Sequence, residues 1–258
     1  MFGGLTHHGL RVLTQRNQFE DYLPWVAYDP KERLYHNTDG TFGRIWECTP
    51  FAFMGEKSAA ILDGLCRAGF PEGSVMQFVL YGDPDISQYL SGYASLKTRP
   101  DPLFAMASER FTQFMNQGTA GLSNIMGNPI RNYRVFVSIK IPGLFHNAEF
   151  HRDDFFRNIE EILRGANLTP RNLTPDRFLL WLRQIFNENH VNGDLYDTTI
   201  PIRKQVILSD TVIEKEMSKL RIGNKTLRCI TPKVFPKEVD PMQTNQLFGG
   251  IEGLASDS

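Results

Sequence analysis

Cysteine is scarce in this 258-residue sequence: Cys48, Cys66 and Cys229 stand far apart, with no Cys-x-x-Cys pair. That excludes a disulfide framework and a cysteine-based zinc knuckle. No window approaches 18 consecutive apolar residues, and the opening Met1-Phe2-Gly3-Gly4-Leu5-Thr6-His7-His8 lacks a basic stretch followed by an apolar one. Neither a spanning helix nor a secretory leader is written there, so the expectation is a cytoplasmic chain in a reducing environment. An excess of one charge is also missing, since 28 Lys and Arg face 29 Asp and Glu. A polybasic nucleic-acid coat is thereby ruled out.

Complete catalytic signatures are absent too. A phosphate-binding loop needs G-x-x-x-x-G-K-[ST], whose glycines let backbone amides wrap phosphate while Lys and Ser/Thr reach the terminal phosphate and magnesium. Gly55-Glu56-Lys57-Ser58 imitates its end, but Gly55 is one position early and Phe51 occupies the place of the first glycine. Gly223-Asn224-Lys225-Thr226 has Ser218 and Lys219 upstream and reads as a hairpin turn. There is no G-x-S-x-G and no His-Glu-x-x-His. His146, His151, Asp153 and Asp154 read as a solvated helix start favoured by the dipole rather than a metal site. Asp153-Asp154 and Glu160-Glu161 diverge by about 100° on a helix, which makes them a wet face and not acid/base pairs. Arg131, Arg134 and Lys140 accompany Tyr133 and Phe136 as on a sheet that binds single-stranded nucleic acid. The near-neutral charge weighs against that reading.

What is present is a sequence that is 41% apolar, with strand and helix patterns in alternation. Residues 32–37 and 41–49 form a hairpin about Thr38-Asp39-Gly40, because Asp-Gly supplies the positive φ of a tight turn. Residues 57–68 make a helix with Ile61, Leu62, Leu65 and Cys66 on one face, stopped by Gly69. The nearly continuous apolar run 75–81 reads as a strand covered on both faces. Asp83-Pro84 and Asp101-Pro102 each look like an N-cap followed by a first helical residue. The first helix carries Ile86, Tyr89, Leu90, Tyr93 and Ala94 on a stripe, the second Phe104, Ala107, Phe111, Phe114 and Met115. Residues 118–128, rich in Gly and Asn, read as a loop. Residues 133–141 alternate as a strand with one buried and one wetter face. Residues 150–166 form a helix, and a further one starts at Thr174-Pro175. Residues 201–208 suit a strand, and 217–222 with 225–230 a second hairpin.

Together these give an α+β fold: a mixed, largely antiparallel sheet with helices packed on it. Split βαβ units fit around residues 41–49, 75–81 and 131–141. Residues 1–30 read as an N-terminal aromatic arm, 31–230 as the α+β domain, and 231–258, with Pro232, Pro236 and Pro241, as an extended linker.

The most informative stretch is Phe19-Glu-Asp-Tyr22-Leu23-Pro24-Trp25-Val-Ala-Tyr28-Asp29, followed by Asn37-Thr-Asp39-Gly40-Thr-Phe-Gly43 and Glu47-Cys48-Thr-Pro50. It resembles the opening of the TraC family of F-type conjugative type IV secretion system ATPases, and Thr231-Pro-Lys-Val-Phe-Pro236 with Asn245-Gln-Leu-Phe-Gly249 is similar to that family's approach to its motor domain. The resemblance implies a non-catalytic N-terminal assembly domain that recruits the motor to inner-membrane components for pilus assembly and DNA transfer. It also implies a hexamer at full length, and a site peripheral to the cytoplasmic face of the inner membrane. ATP and magnesium belong, on this resemblance, to a C-terminal motor domain expected beyond Ser258, and no cofactor or metal is implied here. Tyr22, Leu23, Pro24, Trp25, Tyr28, Asp29, Asp39 and Gly40 are the candidate interaction residues, although Trp and Tyr serve equally as core plugs. The competing expectations are a self-sufficient nucleotide or phosphoester hydrolase using Lys57, and a single-stranded DNA-binding sheet.

Overall fold

Residues 19–50, 56–97, 101–121, 129–143, 151–188, 196–231 and 233–234 are described by the computed structural model. His7, His8, Phe51, Gly55, His146, most of the 118–128 loop and nearly all of the 231–258 linker lie outside the described residues. The main sheet is built from β1 (Trp25–Asp29), β2 (Leu34–Asn37), β3 (Phe42–Cys48), β4 (Val75–Asp83) and β5 (Asn132–Ile141). Their order is β1-β2-β3-β5-β4, all neighbours antiparallel, and the two-residue β6 (Arg171–Asn172) also pairs with β3.

Asp39 and Gly40 close the β2–β3 hairpin as the sequence expects. Gly40 has φ +74°, and the Asp39 carboxylate accepts the Thr41 amide at 3.1 Å and the Thr41 hydroxyl at 2.6 Å. Because β3 and β4 are each antiparallel to β5, they run parallel with β5 between them. The helix α1 (Glu56–Cys66) connects them, so β3-α1-β4 is the split βαβ unit read from the sequence.

Alternation along the strands makes two cores. Trp46, Val137, Ile139 and Ile141 point to one face, where α1 and α4 (Arg152–Gly165) cover them through Leu65, Phe156, Ile159 and Leu163. Ile45, Tyr35 and Phe136 point to the other and meet α5 (Pro175–Phe186) through Phe178, Leu179 and Leu182, with Ile202 and Val206 alongside. The face expected to be wetter on β5 is therefore buried at Phe136, beneath the Trp181 ring stacked at 4.0 Å. A three-stranded antiparallel sheet, β7 (Ile213–Lys215), β8 (Leu220–Ile222) and β9 (Lys225–Leu227), adds one strand to the hairpin expected about Gly223-Asn224.

Several expectations are corrected. The run 201–208 is a 3₁₀ turn at Ile202–Gln205, because Pro201 starts the bend and a single turn suffices to bury Ile202 and Val206. Asp83 ends β4 instead of capping a helix: α2 (Ser87–Ser95) begins later, while Asp83 accepts the Asp85 amide. Thr174 precedes α5 with its side chain silent. Cys66, placed on the apolar face of α1, is exposed. Glu160 is not on a wet face, since it turns toward the sheet and accepts the Trp46 indole N–H at 2.8 Å.

The largest correction concerns β4 and α3 (Pro102–Gly118). β4 is the sheet's edge, with Val75, Phe78, Val79 and Leu80 at 46, 50, 36 and 47% exposure. α3 starts as expected, with Asp101 accepting the Leu103 amide at 2.8 Å and Pro102 first. Yet Gly118 is the sole buried residue of α3.

Candidate interaction surface

The aromatic segment Phe19–Asp29 is mostly turned inward. Leu23 joins the core, Trp25 meets Phe178 edge-on at 4.8 Å between ring centroids, and Tyr28 leans on Tyr35 at 4.9 Å. Burial pushes the Tyr28 phenol up. Pro24 is half-buried, and its carbonyl accepts the Thr38 amide at 2.8 Å. Asp29 closes the β1–β2 turn by accepting the Lys31 and Glu32 amides, which hold its carboxyl below the usual range. Tyr22 alone of the aromatic candidates faces solvent, at 73% exposure. Asp39 and Gly40 are exposed, but Asp39 is spent on its turn and on Lys140 at 3.1 Å.

Of the residues weighed for chemistry, Arg131, Arg134 and Lys225 are likewise committed. Arg134 donates to Glu47 at 2.7 Å, reaches Asp83 at 3.5 Å and lies 5.0 Å over the Phe136 ring. Arg131 donates to the Thr119 carbonyl at 2.6 Å. With Phe136 roofed by Trp181, the β5 side chains do not form an open stacking platform. Lys225 donates to the Gln184 and Asn187 carbonyls at 3.0 and 2.6 Å, giving the α5 C-terminus its cation. Lys57 is exposed in the first turn of α1. His151, Asp153 and Asp154 are exposed at the start of α4, where Asp154 pairs with Arg157. Among the described residues no group of three His, Cys, Asp or Glu side chains is placed to hold a metal. Burial pushes the Cys48 thiol up to about 12, the opposite of what a nucleophile needs.

A cleft of 750 Å³ opens at the end of the sheet, lined by Glu47, Asp83, Tyr133, Arg134, Arg171 and Trp181 among others. Glu47 and Asp83 pair with Arg134 there, and Asp85, Arg171 and Arg177 also line it. The Trp181 indole N–H and the Gln184 side-chain oxygen, one turn apart on α5, are buried with no partner among the described protein groups.

α2 lines this cleft through Gln88, Tyr89 and Gly92, and with α3 makes an arm. On α3, Leu103, Phe104, Phe111 and Phe114 fall within one helical stripe and all are exposed, while Met106, also exposed, lies off it. Tyr93 of α2 tilts against Phe111 at 4.5 Å. The arm is fastened at its far end, where Ile130 packs on Gly118 and its amide bonds the Gly118 carbonyl at 2.9 Å. Amphipathic periodicity announced Phe104, Phe111 and Phe114 of this stripe; nothing in the sequence told that they would stay exposed.

The fold and this surface define a class first: an α+β domain with an antiparallel sheet between helices and an exposed apolar helix stripe. A family model described as TraC protein matches residues 19–257, and the chain belongs to that family, that of an F-type conjugative type IV secretion system. No curated protein matches the sequence. No helix among the described residues is long and apolar enough to cross a membrane.

Proposed function

We propose that this chain is the non-catalytic N-terminal assembly domain of a conjugative type IV secretion ATPase. It recruits the motor to inner-membrane components at the cytoplasmic face, for pilus assembly and DNA transfer. On this reading ATP and magnesium are handled by a C-terminal motor domain, and the full-length protein works as a hexamer. The observation that carries the proposal is the exposed apolar stripe of α3, where Leu103, Phe104, Phe111 and Phe114 keep 64, 43, 38 and 48% exposure on a helix whose one buried residue is Gly118. Exposed apolar patches rimmed by polar residues mark interaction sites, and aromatic residues dominate their energetics. Exposed Tyr22 remains a secondary contact.

The test is co-fractionation of the protein with inner membranes and envelope partners in conjugating cells. L103D with F114D abolishes recruitment while circular dichroism and melting stay unchanged, because both side chains are exposed. Unchanged recruitment refutes the role of this surface. Saturable hydrolysis of a nucleoside triphosphate by the purified 258-residue chain, lost in K57A, supports the hydrolase reading instead.

A further inference from the structure

The two edges of the main sheet are managed in opposite ways. At β1 the register breaks between Trp25 and Ala27, the strand is five residues long and ends in Asp29, and the Tyr28 amide is bonded by Tyr196. Breaks, charges and covering groups are how a domain prevents its edge from pairing with another chain. β4, at the other edge, has none of these. Its nine residues pair with β5 without a register shift. From Val75 to Gly82 it carries no charged side chain and no proline, and Asp83 is buried against Arg134.

Among the described residues β4 has no strand on its outer edge, and Phe78, Val79 and Leu80 are exposed on its two faces. Phe78 and Leu80 sit opposite Val137 and Val135 and so share the α1/α4 face; Val79 sits opposite Phe136 and shares the α5 face. A lone extended peptide satisfies the edge but covers little of either face. A sheet that continues past the edge, with its own side chains on both sides, covers all three. This domain is itself such a body.

We propose that β4 pairs antiparallel with β4 of a second copy, about a two-fold axis perpendicular to the sheet near Val79. Such an axis keeps each face on its own side, so the interface is isologous. Val79 then stands opposite Val79, Phe78 opposite Leu80, Gln77 opposite Tyr81 and Val75 opposite Asp83. No like charges meet, and Phe78 and Leu80 of both copies form one apolar cluster. Directly opposed aromatic and aliphatic pairs of this kind are the stabilising unit of a sheet. This association goes beyond the recruitment role and depends on different residues, so either can fail without the other.

Light scattering and cysteine cross-linking of the 258-residue chain test it. The wild type is expected to have the mass of a dimer, and V79K, which sets a like charge against itself, to halve that mass with unchanged circular dichroism. In a C66S/C229S background, V79C is expected to form a disulfide-linked dimer on mild oxidation, since opposed residues in an antiparallel pair lie within disulfide reach. V75C in the same background is expected to stay monomeric on a non-reducing gel, because the two copies of residue 75 are separated by roughly 27 Å along the strands. A wild-type chain that is monomeric at its highest soluble concentration overturns the proposal. So does a dimer that V79K leaves intact, or cross-linking of V75C as efficient as that of V79C. If V79K fails to fold, the cysteine pair alone decides.

Discussion

At the scale of single residues, charges are used to fasten rather than to react. Glu160 is the clearest case. Besides the Trp46 indole it lies 3.8 Å from Arg44, a buried guanidinium that donates to the Glu32 carbonyl at 2.6 Å and covers the Phe156 ring. Removing Glu160 leaves a buried cation without its counter-charge and a buried indole N–H without its acceptor, which costs about 3 kcal/mol. Urea denaturation of E160A is expected to show that loss, and E160Q, which retains an acceptor, a smaller one. Asp39 gives a pH signature. Its carboxyl is held at about 2, below the ordinary 3.8, first by the Thr41 hydroxyl. A carboxyl lowered on folding stabilises when ionised, so its contribution is complete above about pH 4 and fades as pH falls toward 2. Melting temperature against pH is expected to lose part of its acid slope in D39N. Cys48 supplies a third test. Of the three thiols only Cys66 and Cys229 are exposed, so these two are expected to react with a thiol reagent at pH 8, and Cys48 only after unfolding.

At the scale of elements, Lys225 shows what the sequence displays and what it hides. The Gly223-Asn224 turn was legible, because the glycine takes φ +54° there. That the following lysine serves the end of α5, some forty positions upstream, was not, since only the docking of the small sheet brings them together. K225M is expected to lower stability by about 1–2 kcal/mol, the worth of a partly buried cation at a helix C-terminus, read as a fall in melting temperature. Gly223 also sits so close to Glu188 that any side chain there displaces it. The same division holds elsewhere. The hairpin at Asp39-Gly40, the start of α3 at Asp101-Pro102 and the alternation of β5 are local chemistry and were read directly. The edge position of β4 and the bare stripe of α3 depend on strand order and on how far the core extends. An apolar run looks alike whether its own domain covers it or another molecule does. The aromatic segment misleads in the opposite sense: Leu23, Trp25 and Tyr28 resemble contact anchors in the sequence and are core in the structure.

At the scale of the whole molecule, apolar residues fall into two populations, and substitution separates them. Phe156 and Phe178 are fully buried between helix and sheet, so truncating either to alanine is expected to cost about 3–5 kcal/mol. Leu103 and Phe114 are as apolar but exposed, and L103D with F114D is expected to move stability by no more than about 0.5 kcal/mol. Urea denaturation of the two sets side by side measures the contrast.

The closed edge has a consequence of its own for synthesis. What seals β1 comes late in the chain: Tyr196 bonds its backbone, Ile202 and Val206 pack beneath it, and Lys204 clasps Glu20 and Asp21 at 3.0 and 3.2 Å. A nascent polypeptide that has reached α5 already owns every strand of the main sheet, yet its first strand is still bare. Until the twenty further residues from Phe186 to Val206 leave the ribosome, that intermediate has two sticky margins instead of one, and it is at this moment that the newborn domain most needs a chaperone.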